Sequence, residues 1–145
     1  MRGSIALEFL LVVLAIAVYI GFTVKAVEVV GLQSAEDISK MARTKAAMTK
    51  IFNAVQFLSA GSDGSKTTVY PYVPTDVNIT LSGSQIRAMI PTEANLSNIA
   101  YCTATECTFV MQSPLPFDST TTITGGTVHA VTMSRSAGKV KVSVS

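Results

Sequence analysis

Proline is missing from this chain until Pro71, histidine occurs once, at His129, and there are only two cysteines, Cys102 and Cys107. Each scarcity removes a class of reading. With no proline in the first half, nothing there forbids a single uninterrupted helix. One histidine, remote in sequence from the cysteine pair, leaves no Cys/His set with zinc spacing. Four residues, Thr-Ala-Thr-Glu, separate the cysteines, which is not the C-x-x-C spacing of a redox motif. Charge is sparse too: 14% of residues, with a formal net charge of +2. That gives no basic footprint for nucleic acid. No phosphate-binding loop, metal-ligand spacing or nucleophile elbow occurs. Asp118, Glu93 and Glu106 stand in loop-like contexts without a partner at catalytic spacing. His129, on a Val-rich segment, reads as a structurally satisfied imidazole. The sequence implies no enzyme, no cofactor and no metal.

What is present begins with Ser4–Phe22, SIALEFLLVVLAIAVYIGF, almost wholly apolar and carrying one charge, Glu8. From Ile5 to Val24 is about 20 residues, or roughly 30 Å as a helix, enough for a hydrocarbon core. Its apolar residues lie on every face, so it needs apolar surroundings all round, from a bilayer or from a bundle of identical helices. A carboxylate in that setting costs on the order of 2–3 kcal/mol. Either Glu8 snorkels from the first turn, or it pairs with a cation brought by another chain.

Arg2-Gly3 precedes Ser4, and Glu8 is the fifth residue counted from Ser4. This arrangement resembles the class III signal peptide of archaeal type IV pilins, although Ser4 and Ala6 stand where that class usually has Gln and Ser. The resemblance covers about the first 20 residues and implies cleavage by a prepilin peptidase between Gly3 and Ser4. Cleavage there would create an α-ammonium at Ser4, with a reference pKa of about 8, and Glu8 of a neighbouring subunit would neutralise it. The resemblance further implies that subunits assemble through Glu8, Phe9, Leu10, Leu14, Ala17 and Gly21. The small residues Ala6, Ala15, Ala17 and Gly21 permit close helix approach.

From Thr23 to about Ala60 the helical period continues while charges enter, among them Lys25, Glu28, Asp37 and Lys50. Val27, Val30, Ile38, Met41, Met48, Ile51, Phe52 and Val55 recur mostly at spacings of three, four or seven, as an amphipathic helix requires. Ala60-Gly61-Ser62-Asp63-Gly64 supplies the stop. From Lys66 the period becomes two. Thr67–Val73, Val77–Leu81, Gln85–Ile90, Asn98–Cys102, Cys107–Gln112, Thr127–Ser134 and Lys139–Val144 read as strands, with hairpin turns at Ser82-Gly83-Ser84 and Gly125-Gly126. Cys102 and Cys107 fit a disulfide closing the ends of a hairpin in an exported chain. Asn78-Ile79-Thr80 and Asn95-Leu96-Ser97 are N-glycosylation sequons.

The expected fold is α+β: a long N-terminal hydrophobic α-helix followed by a small antiparallel β-sandwich-like head, as in type IV pilins. The expected divisions are a cleaved leader at 1–3, a long helix at 4–60 with an apolar half and then an amphipathic half, and a β-rich head at 61–145. The expected function is that of a structural subunit of an extracellular archaeal type IV pilus filament. It would be a homopolymer serving adhesion to surfaces or cells, handled by a prepilin peptidase and pilus assembly machinery, and held in the cytoplasmic membrane before assembly. A non-polymerising membrane-anchored surface protein and a subunit of the archaellum, the motility filament, are the alternatives. A signal-peptidase cut after Val24-Lys25-Ala26 would sever a helix whose pattern continues.

Overall fold

The structure, a computed structural model, describes residues 2–93, 95–97, 99 and 101–145; helix side chains are described at 12–20, at 31 and from 33 onward. The chain divides into two units, Met1–Glu36 and Asp37–Ser145. Helix α1 spans Arg2–Ala60. Within the second unit its face is set by the expected period. Thr44, Met48, Ile51, Val55 and Leu58 are buried at spacings of three and four, while Arg43, Lys45 and Lys50 are exposed. Ile38, expected on the apolar face, is 53% exposed. Asp37 takes the buried turn instead, its Oδ2 accepting the Glu93 N–H at 3.0 Å.

The helix stops where the sequence changes chemistry. The Gly61 N–H donates to the Leu58 carbonyl at 3.1 Å. The carbonyls left over at a helix C-terminus need donors from elsewhere. Arg135 supplies them: its Nη1 donates to the carbonyl oxygens of Leu58, Ser59 and Gly61. Its Nε lies 3.2 Å from Asp63 Oδ1, an ion contact whose angle does not make a hydrogen bond.

Seven strands follow: β1 Lys66–Val69, β2 Asn78–Ser82, β3 Gln85–Pro91, β4 Glu106–Gln112, β5 Thr121–Thr124, β6 Val131–Ser136 and β7 Lys139–Val144. They form two antiparallel sheets, one ordered β1-β6-β7 and one ordered β4-β3-β2-β5. Alternation decides which side chains go inward. Ile79 and Leu81 of β2, Ile86, Ala88 and Ile90 of β3, and Ile123 of β5 are all buried; Val131, Met133 and Val140 are their counterparts in the other sheet. These residues and the buried helix positions form one core cluster of the second unit. The β2–β3 register, Ser82 opposite Gln85, puts a two-residue turn at Gly83-Ser84, with Gly83 at φ 54°; hairpin turns of this length favour glycine.

The expected architecture is corrected. Among the described residues no helix is long and apolar enough to cross a membrane. The helix side chains described without a break, from 33 to 60, are amphipathic, and the second unit is mostly sheet, in two separate antiparallel sheets. It is therefore not a long hydrophobic helix carrying a small sandwich-like head. The physical reason is dilution: the charges after Thr23 make one stripe of the helix apolar, not its whole surface.

Single strands differ as well. β5 has no counterpart among the expected strands, because Thr121-Thr122-Ile123-Thr124 has one apolar inward residue and lies in a run of polar ones. Of the expected strand Asn98–Cys102, Asn98 and Ala100 lie outside the described residues, Ile99 sits in a bend and Tyr101 in a turn at φ 74°, so the described residues there form no strand. The expected Thr127–Ser134 strand begins only at Val131. Gly125-Gly126 is not a simple hairpin, since the Gly126 N–H donates to the Val73 carbonyl at 3.0 Å and β5 pairs with β2.

Candidate assembly surface

An apolar side chain on a monomer surface is ordinary, but a contiguous run of them marks an interaction site. Within the first unit every described position from 12 to 20 is exposed. Leu14 is 58% exposed and Ile16 53%, and Val12, Val13 and Val18 are similar. Nine consecutive helical residues cover about two and a half turns, so exposure at all of them leaves every side of this stretch uncovered within its own unit. Ala17 is exposed among them, a small side chain where a second helix could approach closely. Gly3, Ser4, Glu8, Phe9, Leu10 and Gly21 fall within α1, and their side chains lie outside the described set. Met1, the first residue of the expected leader, lies outside the described residues altogether.

The remaining sequence-marked residues fall in the second unit. Cys102 and Cys107 form a disulfide with Cα atoms 4.0 Å apart. The two residues also pair as an isolated antiparallel bridge. The Thr-Ala-Thr-Glu loop between them is closed by the Thr103 N–H donating to the Glu106 carbonyl at 2.7 Å. Asn78 opens β2 with an exposed side chain on the outer face of its sheet, opposite Met89 and Thr124. Asn95 is exposed, and its Oδ1 accepts the Ser97 N–H at 3.2 Å, an Asx turn. Both sequon asparagines are therefore open to solvent. His129 Nε2 is 2.7 Å from the Thr124 carbonyl oxygen, so that nitrogen carries the hydrogen and donates it. Thr127 Oγ1 lies 3.1 Å from the same atom. Among the described residues no group of three or more His, Cys, Asp and Glu side chains is placed to hold a metal.

Two features escaped the sequence. The clamp of Arg135 on the helix end joins residues more than 70 positions apart, and a lone arginine in a Ser-rich strand gives no local sign of it. The buried Asp37 carboxylate likewise depends on a distant backbone donor. No family model, no curated protein and no solved structure matches this chain.

Proposed function

We propose that this chain is a structural subunit of an extracellular filament of the archaeal type IV pilus kind, serving attachment to surfaces or cells. Copies assemble through the apolar segment 4–22 after prepilin-type cleavage between Gly3 and Ser4. The observation that carries the reading is the exposed apolar stretch at 12–20. Such a surface is stable in water only when something apolar covers it. Further copies of the same segment are the proposed cover, because the Arg2-Gly3-Ser4…Glu8 spacing resembles a motif for processing before assembly. In the packed bundle Glu8 of one subunit neutralises the new α-ammonium at Ser4 of its neighbour, which fixes the stagger between them. A β-rich body with its own core, hydrophobically independent of residues 12–20, suits presentation on the outside of such a filament.

The test is the N-terminal mass of the protein recovered from the cell surface. A chain beginning at Ser4, recovered in sedimenting polymers, is the expected result. A chain beginning at Met1 or Arg2 and recovered as single subunits with the membrane fraction defeats the reading and leaves a plain anchor in its place.

A further inference from the structure

The two sequons lie in opposite kinds of structure. Asn78-Ile79-Thr80 opens β2, and all three residues are paired with β3 on one side and β5 on the other. Ile79, the middle residue, is buried. Asn78 and Thr80 alternate to the outer face, about 7 Å apart along an extended strand. Asn95-Leu96-Ser97 belongs to no strand, and its chain is already bent: Asn95 Oδ1 accepts the Ser97 N–H at 3.2 Å. Asn95 and Ser97 are exposed, while Leu96 between them joins the margin of the core. The Leu96 carbonyl accepts the Ile99 N–H at 2.8 Å, a bond within the same short turn.

We propose that the fold selects between the two sequons: in the folded protein Asn95 accepts an N-linked glycan and Asn78 does not. The step is a glycosyl transfer from a lipid-phosphate-linked oligosaccharide. Asn95 Nδ2 bonds to the anomeric carbon of the first sugar, and the bond from that carbon to the phosphate oxygen breaks. The lipid phosphate leaves with the electron pair, and one Nδ2 proton passes to the transferase. The sequon is defined by an amide and by a hydroxyl two residues on, so a transferase must close around both. The chain has to bend between them to present both to one cleft. At 95–97 that bend exists, and its hydrogen bond occupies Oδ1 while leaving Nδ2 for the transfer. At 78–80 a bend would break the ladders on both sides and draw Ile79 out of the core, an opening that belongs with the unfolding of the whole sheet. Exposure of the Asn78 side chain does not remove that restraint, because the ladders hold the backbone. The inference rests on the proposed function only for where the chain meets the transferase, at the outer side of the cytoplasmic membrane.

The test uses the folded full chain in non-ionic detergent, a purified oligosaccharyltransferase and its lipid-linked oligosaccharide, so that it reads whether or not the chain is exported or polymerises. Short peptides carrying each sequon, both accepted by that enzyme, are the unfolded reference. Mass spectrometry of glycopeptides is expected to find the glycan forming at Asn95 about tenfold or more faster than at Asn78. The Asn78 peptide, freed of its ladders, is modified at least as fast as the Asn95 peptide. Ser97→Ala abolishes modification while keeping Asn95, and Asn78→Gln leaves it unchanged; the unfolding transitions of both variants are followed alongside. The proposal is overturned if Asn95 of the folded chain stays unmodified, or if Asn78 is modified as fast as Asn95. It is overturned too if the peptides show the preference of the folded chain, since the choice would then lie in the sequence and not in the fold. An unmodified Asn95 leaves the filament reading standing, because that reading falls only to the N-terminal mass.

Discussion

Among the described glycines, Gly125 is the one with least room for an added methyl group. A Cβ there would overlap the backbone carbonyl oxygen of Pro74 and crowd that of Val77. Backbone cannot swing aside as a flexible side chain can. Gly125→Ala is therefore expected to destabilise the second unit by about 2 kcal/mol or more, read as a fall in the urea midpoint with an unchanged slope. An unchanged midpoint would mean that the segments around Pro74 and Gly125 are not held together as described. Gly126, at φ 109° with open space around its α-carbon, is constrained differently: there the backbone angle, not the room, favours glycine.

The elements divide by how locally they are encoded. The amphipathic stretch of α1 was legible because Met48, Ile51, Val55 and Leu58 repeat at the helical period. The alternations of β3 and β7 were legible because inward and outward residues differ sharply in polarity. β5 was not, since its pairing with β2 is set by Ile123 against Ile79 across more than 40 residues. Neither was the turn at Ile99–Cys102, where β propensity yields to the Cys102 N–H donating to the Ile99 carbonyl and to the pairing of Cys102 with Cys107. That disulfide sits where β3 and β4 end, beside the Ile90–Cys107 and Pro91–Glu106 pairs. Its loop is short, with a sequence separation of 5, so chain entropy gives only about 2 kcal/mol. Cys102→Ser/Cys107→Ser is expected to lose that amount in denaturant unfolding and to raise amide exchange first at the Glu106 end of β4. Equal exchange along β4 would place the disulfide's effect elsewhere.

At the scale of the whole molecule, a run of apolar side chains exposed on one unit and a closed core in the other make separate demands. The core of the second unit tolerates changes at residues 12–20, because none of them belongs to it. Leu14→Lys is therefore expected to leave the unfolding transition of the second unit unshifted while abolishing sedimentable polymer. A charge in a packed apolar bundle costs on the order of 3 kcal/mol in each subunit, multiplied along the filament. If the Leu14→Lys variant polymerises as before, the 4–22 segment is not the assembly surface. The apolar run itself was plain in the sequence. The row Lys66–Ser134–Lys141 was not: only the register of β1, β6 and β7 brings its three residues side by side.

The hold of Arg135 on the last carbonyls of α1 also has a mechanical meaning. In the filament proposed above, anchored to a cell and attached at its surface, each subunit would be pulled, and tension in a helix has to leave it somewhere. The covalent chain carries it through residues 61–65 into β1, and the hydrogen bonds that Arg135 Nη1 gives to the Leu58, Ser59 and Gly61 carbonyl oxygens carry a share of it to β6, the middle strand of the same sheet. The share that Arg135 takes thus enters a strand gripped on both sides by β1 and β7. For β6 to yield, both ladders must shear together, whereas β1, which the chain pulls directly, is held by its single ladder to β6.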